Sequence, residues 1–435
     1  MYIVFTILQN MVTTLLITVF ITGYIAIAFE HVIKLNKAAS ALIIGVLCWT
    51  VYILQSNAVE VVGEELLHHL GEISSILFFL LGAMTIVELI DSHDGFDVIT
   101  QKINTTSKSK LLLIITVISF FLSALLDNLT TAIVMTSLSS KILSEKDDKL
   151  WFAGMIVIAA NAGGAWSPLG DVTTTMLWIG GQITALNIMK QLILPSTAVC
   201  LFPALIIAHR FKGQQFQQNA ETAGTPKEKK NGKTILFAGV GFLLFVPIFK
   251  TLTHLPPFMG MMLALGFMWI ITTIIHKDKN NNVPEKFTVA GALQKIDSSS
   301  ILFFLGILLA VSALQSFGLL KQLAGVLTAT LKNDYLIGTA LGLLSAIVDN
   351  VPLVAASQGM YDLSVYPTDH LFWEFLALTT GTGGSAIIIG SAAGVAVMGI
   401  EQINFMLVFK KISWLAIIGF GAGIIVFMLQ RNFSM

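Results

Sequence analysis

Two Asp-Asn pairs stand in otherwise apolar surroundings, Asp127–Asn128 and Asp349–Asn350, and a third carboxylate, Asp171, lies in another apolar stretch. A carboxylate at the centre of a membrane costs about 2.5 to 3.5 kcal/mol, so these side chains need a reason to be there. Carboxylate and amide oxygens are hard ligands that suit Na+ or Li+. Because burial disfavours the charged form of a carboxyl group, a proton and a metal ion can compete for it. This competition is the chemical basis of cation/proton exchange.

Other polar groups lie close to Asp127 and Asp171 in the sequence. Residues 127–131 and 167–175 supply hydroxyl and amide groups within apolar runs. Pro168 lacks an amide proton and Gly170 relaxes the backbone, so a helix here should unwind and expose carbonyl groups. Non-helical backbone at membrane depth is tolerated only where it lines a polar cavity. We interpret the two segments as two parts of one cation site.

The composition indicates what kind of chain positions these groups. The 435 residues are 55% hydrophobic and 11% charged, with a mean hydropathy of +0.83. Soluble domains carry about a quarter charged residues, so we predict an all-α polytopic membrane protein. Lysine plus arginine (25) equals aspartate plus glutamate (25), which excludes a nucleic-acid partner. Cys48 and Cys200 lie in apolar runs and predict small core residues rather than a disulfide or a metal site.

Apolar runs predict the membrane spans, since a hydrocarbon layer about 30 Å thick requires roughly 20 apolar residues per helix. The runs that are long enough and uninterrupted are 11–29, 38–55, 73–90, 191–209, 234–251, 257–276, 298–315 and 412–430. Two further stretches, 151–186 and 371–400, are interrupted by Gly, Pro, Ser and Thr. Each of these predicts a broken helix.

The positions of Lys and Arg predict the orientation, because cytoplasmic segments carry the excess of both. If the N- and C-termini lie outside, the basic residues left outside are only Lys190, Lys250, Lys321, Lys332 and Arg431. This distribution requires that 111–126 and 132–143 form a re-entrant hairpin that enters from the cytoplasm. By symmetry, 335–349 and 351–366 should form a second hairpin that enters from outside.

An internal repeat divides the chain. Ser74–Leu80 recurs as Ser299–Leu305, Ser123–Asn128 as Ser345–Asn350, and Asn161–Gly164 with Gly170 as Gly381–Gly384 with Gly390. We predict a first repeat over 1–210, a cytoplasmic linker over 211–233 and a second repeat over 234–435. With about five spans, one hairpin and one broken helix each, the two repeats must have opposite orientations. Inverted repeats are typical of secondary transporters that bind their substrate near the bilayer midplane.

A buried aspartate can also be a helix cap or a satisfied hydrogen-bond partner. Because the Asp-Asn pair occurs at two symmetric positions, a cation site is the better interpretation. The segment 381–391 and Asp349–Asn350 are then the counterparts of the first site. The carboxylates also argue against an anionic substrate, which they would repel.

Three segments resemble the NhaD-type sodium/proton antiporters of the ion transporter superfamily: Ile76–Glu88, Asp127–Thr131 and Ser167–Thr175. The resemblance covers nearly the whole chain and is most specific over 73–182. It implies a homodimer with scaffold and transport parts, in which the transport part moves like an elevator. It also implies a multi-pass protein of the bacterial cytoplasmic (inner) membrane.

The resemblance further implies a polar core that binds the transported ions, with no cofactor. Its predicted members are Ser123, Asp127, Asn128, Asn161, Asp171, Thr173, Thr174, Ser345, Asp349 and Asn350. Thr130 is added because it lies in the first polar segment. Sodium would bind at Asp127 and Asp171. Ser391 stands where the repeat would place a second Asp171, so the two halves are not chemically equal.

We therefore predict an antiporter, not an enzyme, that extrudes Na+ or Li+ in exchange for protons by alternating access. Glu88 lies near the cytoplasmic end of a span and is either a proton relay or pH-sensing group or an interfacial charge. The alternative is a sodium-coupled dicarboxylate or oxyanion carrier of the same superfamily. An intramembrane aspartyl protease that uses Asp127 and Asp349 is disfavoured, because the Asp-Asn context, the threonine-rich loops and the duplication do not suit it.

Overall fold

The fold is all-α, as predicted. The computed structural model describes residues 2–56, 58–96, 105–215, 226–277, 284–387, 391–403 and 405–434. Within these ranges the regular elements are helices, apart from one isolated bridge between Ser107 and Gln215. Cys48 and Cys200 are buried free thiols, which confirms their prediction as core residues. Residues 216–225 of the predicted linker lie outside the described part of the chain.

The helices of the N-terminal half occur in this order: α1 (Tyr2–Ala28), α2 (Glu30–Ile33), α3 (Lys37–Gln55), α4 (Val59–Ser92), α5 (Lys108–Leu126), α6 (Asn128–Ile142), α7 (Lys146–Ala165), α8 (Val172–Ile179) and α9 (Ala185–Arg210). The helices of the C-terminal half are α10 (Pro226–Thr253), α11 (Pro257–His276), α12 (Val289–Lys295), α13 (Ser298–Ser316), α14 (Leu319–Leu331), α15 (Asp334–Leu344), α16 (Asn350–Met360), α17 (Leu371–Gly383), α18 (Ala392–Glu401), α19 (Phe405–Lys411) and α20 (Ser413–Ser434). A 3-10 turn, Glu285–Phe287, precedes α12.

In the described ranges, nine helices are long and apolar enough to cross a membrane. Eight of them coincide with the spans predicted from apolar runs. The ninth is α5, which the sequence predicts to be the first arm of a re-entrant hairpin. Its 19 residues measure about 28 Å, which is enough for a crossing. Helix length alone does not distinguish the two arrangements, so the hairpin stays a prediction.

The first predicted helix break is confirmed. α7 ends at Ala165 and α8 begins at Val172, with Pro168 and Gly170 in the non-helical segment between them. The Thr175 hydroxyl donates to the Pro168 carbonyl at 2.8 Å and so satisfies one exposed backbone group. In the C-terminal half, α17 ends at Gly383 and α18 begins at Ala392. Residues 388–390, which include Gly390 of the predicted repeat, lie outside the described part of the chain.

The same kind of helix crossing occurs in both halves. α5 packs on α7, and α15 packs on α17. A methyl group on Gly163 would lie 2.1 Å from the Phe120 carbonyl oxygen, and one on Gly383 would lie 2.0 Å from the Gly342 carbonyl oxygen. Such a close approach of backbones requires glycine. Both glycines belong to the repeated segments, whose inverted relation and boundaries stay predictions.

Helices from the two halves alternate around the middle of the molecule. α6 contacts α18, and α16 contacts α8, so each helix that follows an Asp-Asn pair lies against the second part of the other half's broken helix. α3 packs along α13, and the Ser299 hydroxyl donates to the Asn36 side chain at 3.0 Å where both helices begin. This arrangement brings the polar segments of both halves together.

Candidate functional site

Asp127 lies at the junction of α5 and α6 in a strained conformation. Its φ of 92° and ψ of 157° fall in a region that residues other than glycine rarely adopt, at a cost of about 1 to 3 kcal/mol. Its carboxylate accepts hydrogen bonds from the Thr130 amide and the Thr130 hydroxyl, both at 2.8 Å. The carboxylate therefore caps α6 and is held at one position.

Asp171 joins the two halves of the chain. It is the N-cap of α8, accepts from the Thr173 amide at 3.3 Å, and is only 2% exposed. Its second oxygen accepts from the Asn350 side chain at 3.2 Å. One carboxylate thus contacts the Asp-Asn pair of the opposite half directly.

Asn161 makes a second connection between the halves. It is 1% exposed, and its side-chain oxygen accepts from the Asn128 amide group at 3.1 Å. Its own amide nitrogen lies 2.8 Å from the Ser385 hydroxyl and 3.0 Å from the Ser391 hydroxyl. Ser391, the residue that replaces a second aspartate in the predicted repeat, is therefore part of the same polar network.

Asp349 is paired with a cation that sequence reasoning did not connect with the site. The Asp349 carboxylate caps α16 through the Val351 amide at 3.2 Å. Its other oxygen lies 3.6 Å from the Lys37 ammonium, which also lies 4.5 Å from the centre of the Phe303 ring. The sequence shows Lys37 only as a basic residue at the start of an apolar run, and no local pattern links it to Asp349.

Asp127, Asp171, Asp349 and Lys37 line one cavity of about 70 Å³. Its polar lining consists of Lys37, Asp127, Asn128, Thr130, Asp171, Thr175, Ser300, Asp349, Asn350 and Ser391. Liquid water takes about 30 Å³ per molecule, so the space suits an ion with a few waters. Sites for drug-sized ligands measure about 300 to 1,000 Å³.

A wider chamber of about 230 Å³ adjoins this cavity and shares Lys37 and Asp349 with it. Its walls include Tyr24, Glu30 and Asp297. The chamber lies towards the ends of the molecule where α3 and α13 begin.

The remaining predicted site residues do not line the cavity, and three of them donate hydrogen bonds to backbone carbonyls. Those that do not line it are Ser123, Asn161, Thr173, Thr174 and Ser345. The Ser123 hydroxyl donates to the Ala160 carbonyl at 2.6 Å, and the Ser345 hydroxyl donates to the Thr380 carbonyl at 3.1 Å. Each serine therefore joins the two helices of its crossing. The Thr174 hydroxyl donates to the last carbonyl of α7 at 3.5 Å.

Glu88 lies outside the cavity, in the last turns of α4. Its carboxylate is 3.0 Å from the Lys295 ammonium and accepts from the Ser92 hydroxyl at 2.8 Å. The proposed relay or pH-sensing role of Glu88 stays a prediction.

Known proteins resemble this chain over nearly its whole length. A family model described as a citrate transporter matches residues 24–383. Sodium/proton antiporter 1 of Arabidopsis thaliana is 45% identical over 412 residues, which cover 94% of this chain and 71% of the plant protein. Sodium/proton antiporter 2 of the same plant is 44% identical over 418 residues, covering 95% and 98%.

A bacterial relative shows the same relationship. The Na(+)/H(+) antiporter NhaD of Vibrio cholerae is 32% identical over an alignment of 446 positions, which covers 96% of this chain and 91% of that protein. The helices long and apolar enough to cross a membrane agree with these matches. The chain therefore belongs to the NhaD-type sodium/proton antiporter family, within the wider group that the citrate transporter family model describes.

Proposed function

We propose that the protein is a Na+(Li+)/H+ antiporter that extrudes sodium in exchange for protons by alternating access. The observation that carries the proposal is the lining of one small cavity by Asp127 and Asp171 together with Asn128 and Thr130, whose side chains also carry oxygen atoms. An alkali cation needs hard oxygen ligands and compensation of its charge, and this set supplies both. The names of the relatives, sodium/proton antiporters, agree with this chemistry.

The exchange follows from the charges of the site. Sodium binds to the deprotonated carboxylates of Asp127 and Asp171. When it leaves, two like charges remain in the lining of one small, poorly solvated cavity, which favours uptake of a proton. Sodium and proton therefore exclude each other. Either ion removes one of the two negative charges of the site, and we propose that only a site that holds one of these ions crosses between the two sides of the membrane.

The wider chamber is the proposed entry path for sodium. Glu30 and Asp297 lie in its walls and attract cations. With the predicted orientation, in which both termini lie outside, this chamber faces the cytoplasm. We further propose that the protein acts as a homodimer in the bacterial inner membrane, as the family resemblance implies.

A sodium-coupled carrier of a dicarboxylate or oxyanion, or of the tricarboxylate citrate, is the second candidate. The description of the family model favours it, and Lys37 is a cation in the cavity that could meet an anion. Two considerations oppose it. Asp127, Asp171 and Asp349 outnumber the single ammonium, and Lys37 already has a carboxylate partner in Asp349.

Proton flux in everted membrane vesicles distinguishes these functions. Na+ or Li+ added to vesicles with the protein should release protons from the acidified lumen, whereas K+ and dicarboxylates serve as comparisons. Vesicles with Asp127→Asn should show no Na+-dependent flux, because the site loses a ligand and a proton acceptor. Normal exchange by that variant refutes the assignment of the site. Uptake of labelled dicarboxylate driven by a Na+ gradient, without proton exchange, favours the carrier.

A further inference from the structure

The two halves of the cavity differ in charge. In the N-terminal half, Asp127 caps α6 and Asp171 caps α8, so two carboxylates face the cavity. In the C-terminal half, Asp349 caps α16, but Ser391 occupies the position before α18 and makes no cap hydrogen bond. The second half therefore has one carboxylate where the first has two.

A tethered ammonium group compensates the single carboxylate of the second half. The Lys37 ammonium lies 3.6 Å from the Asp349 carboxylate, and both line the cavity and the adjoining chamber. The Phe303 ring lies beneath the ammonium at 4.5 Å and supports it by a cation–π contact. Lys37 is the first residue of α3. The Asn36 side chain caps this helix, so the backbone from which the Lys37 side chain extends is fixed.

The distance between the Lys37 ammonium and the Asp349 carboxylate distinguishes this pair from a tight structural ion pair. At 3.6 Å the two groups attract each other electrostatically but do not form a tight hydrogen bond. Neither group is fully buried, since the side chains are 25% and 18% exposed. An alkali ion that enters the chamber could therefore reach Asp349 if the ammonium were absent.

We propose that Lys37 acts as a built-in cation that occupies the second-half site. The protein then binds one alkali ion per chain, at Asp127 and Asp171, and Asp349 serves as the counter-ion of Lys37 instead of a ligand for transported sodium. This inference rests on the proposed function. The inference also makes the proposed function more specific, because it assigns the number of sodium sites and the residue that sets that number.

Binding of radioactive sodium to the purified full-length protein tests the inference. We measure the number of ions bound at saturation, at one pH, for the native chain and three variants. The native chain and Lys37→Arg should bind one Na+ per chain, because both keep a cation beside Asp349. Lys37→Met should bind two, because Asp349 becomes free for a second ion. Lys37→Met combined with Asp349→Asn should return to one.

A matched control separates the local effect from a change in overall charge. Lys34→Gln removes a positive charge three residues away, where the side chain is exposed and does not line the cavity. It should bind one Na+ per chain with unchanged affinity. Two ions bound by Lys34→Gln would overturn the inference.

The other outcomes distinguish a failure of the role of Lys37 from a failure of the proposed function. One Na+ per chain for Lys37→Met, or two for the native chain, overturns the role of Lys37 while sodium/proton exchange stands. No sodium bound by the native chain removes the proposed function as well. If Lys37→Met does not fold, Asp349→Asn decides the question. That variant should still bind one Na+ per chain at saturation, because Asp349 is not a ligand of the ion at Asp127 and Asp171; loss of sodium binding contradicts the inference.

Discussion

Replacing Asp171 with asparagine removes one charge from the cavity and leaves the size and shape of the side chain nearly unchanged. Asn and Asp are similarly good N-cap residues, so the hydrogen bond from the Thr173 amide can persist. The second oxygen of Asp171, which accepts from Asn350, becomes an amide NH2 group, so Asn350 must turn its own side-chain oxygen towards position 171 to keep a hydrogen bond. The substitution therefore isolates the contribution of charge from that of helix capping.

The expected loss of sodium-binding free energy in Asp171→Asn follows from electrostatics. Two unit charges about 4 Å apart attract each other by about 4 kcal/mol at an effective dielectric constant of about 20. Part of this is offset, because asparagine avoids the cost of burying a carboxylate at a position that is 2% exposed. A net loss of about 2 to 3 kcal/mol remains, which raises the Kd for Na+ about 30- to 150-fold.

The assay is sodium binding to purified Asp171→Asn, accompanied by proton flux in proteoliposomes. Asp362→Asn is the matched control, because it makes the same chemical change at an exposed position outside the cavity. Thermal unfolding of both variants checks that the fold is retained. A folded Asp171→Asn protein with the native Kd and native exchange would show that Asp171 is a helix cap and not an ion ligand.

Two further predictions concern the stability of the scaffold, with thermal unfolding in detergent as the measurement. Gly163→Ala should destabilise the fold by about 1 to 3 kcal/mol, because the new methyl group would lie 2.1 Å from the Phe120 carbonyl oxygen. Gly421→Ala, which meets no atom within 4 Å, should be neutral or stabilising, and equal effects of the two would contradict the packing argument. Glu374→Gln should cost about 3 kcal/mol because it leaves Arg431 without the carboxylate it pairs with. Adding Arg431→Met should recover most of that loss, and failure to do so would mean that the charge pair is not the cause.

Local pattern was sufficient to predict the fold class and the positions of the carboxylates. Membrane spans follow from the lengths of apolar runs, and the break before α8 follows from the missing amide proton of Pro168 and the flexibility of Gly170. The recurrence of the Asp-Asn pair predicts that Asp127 and Asp349 are equivalent positions of two repeats. These are properties of short segments, and they hold whatever the rest of the chain does.

Tertiary structure decided which side chains meet. Lys37 reaches Asp349 because α3 and α16, the helix that Asp349 caps, both pack on α13. Asn161 reaches Ser391 because α7 packs on α18 of the opposite half. Ser123 is directed to a carbonyl of the crossing helix, although its type alone would equally suit an ion ligand. Such pairings depend on the relative placement of helices that are distant in sequence. No periodicity or local motif encodes that placement, because it results from the packing of the whole molecule.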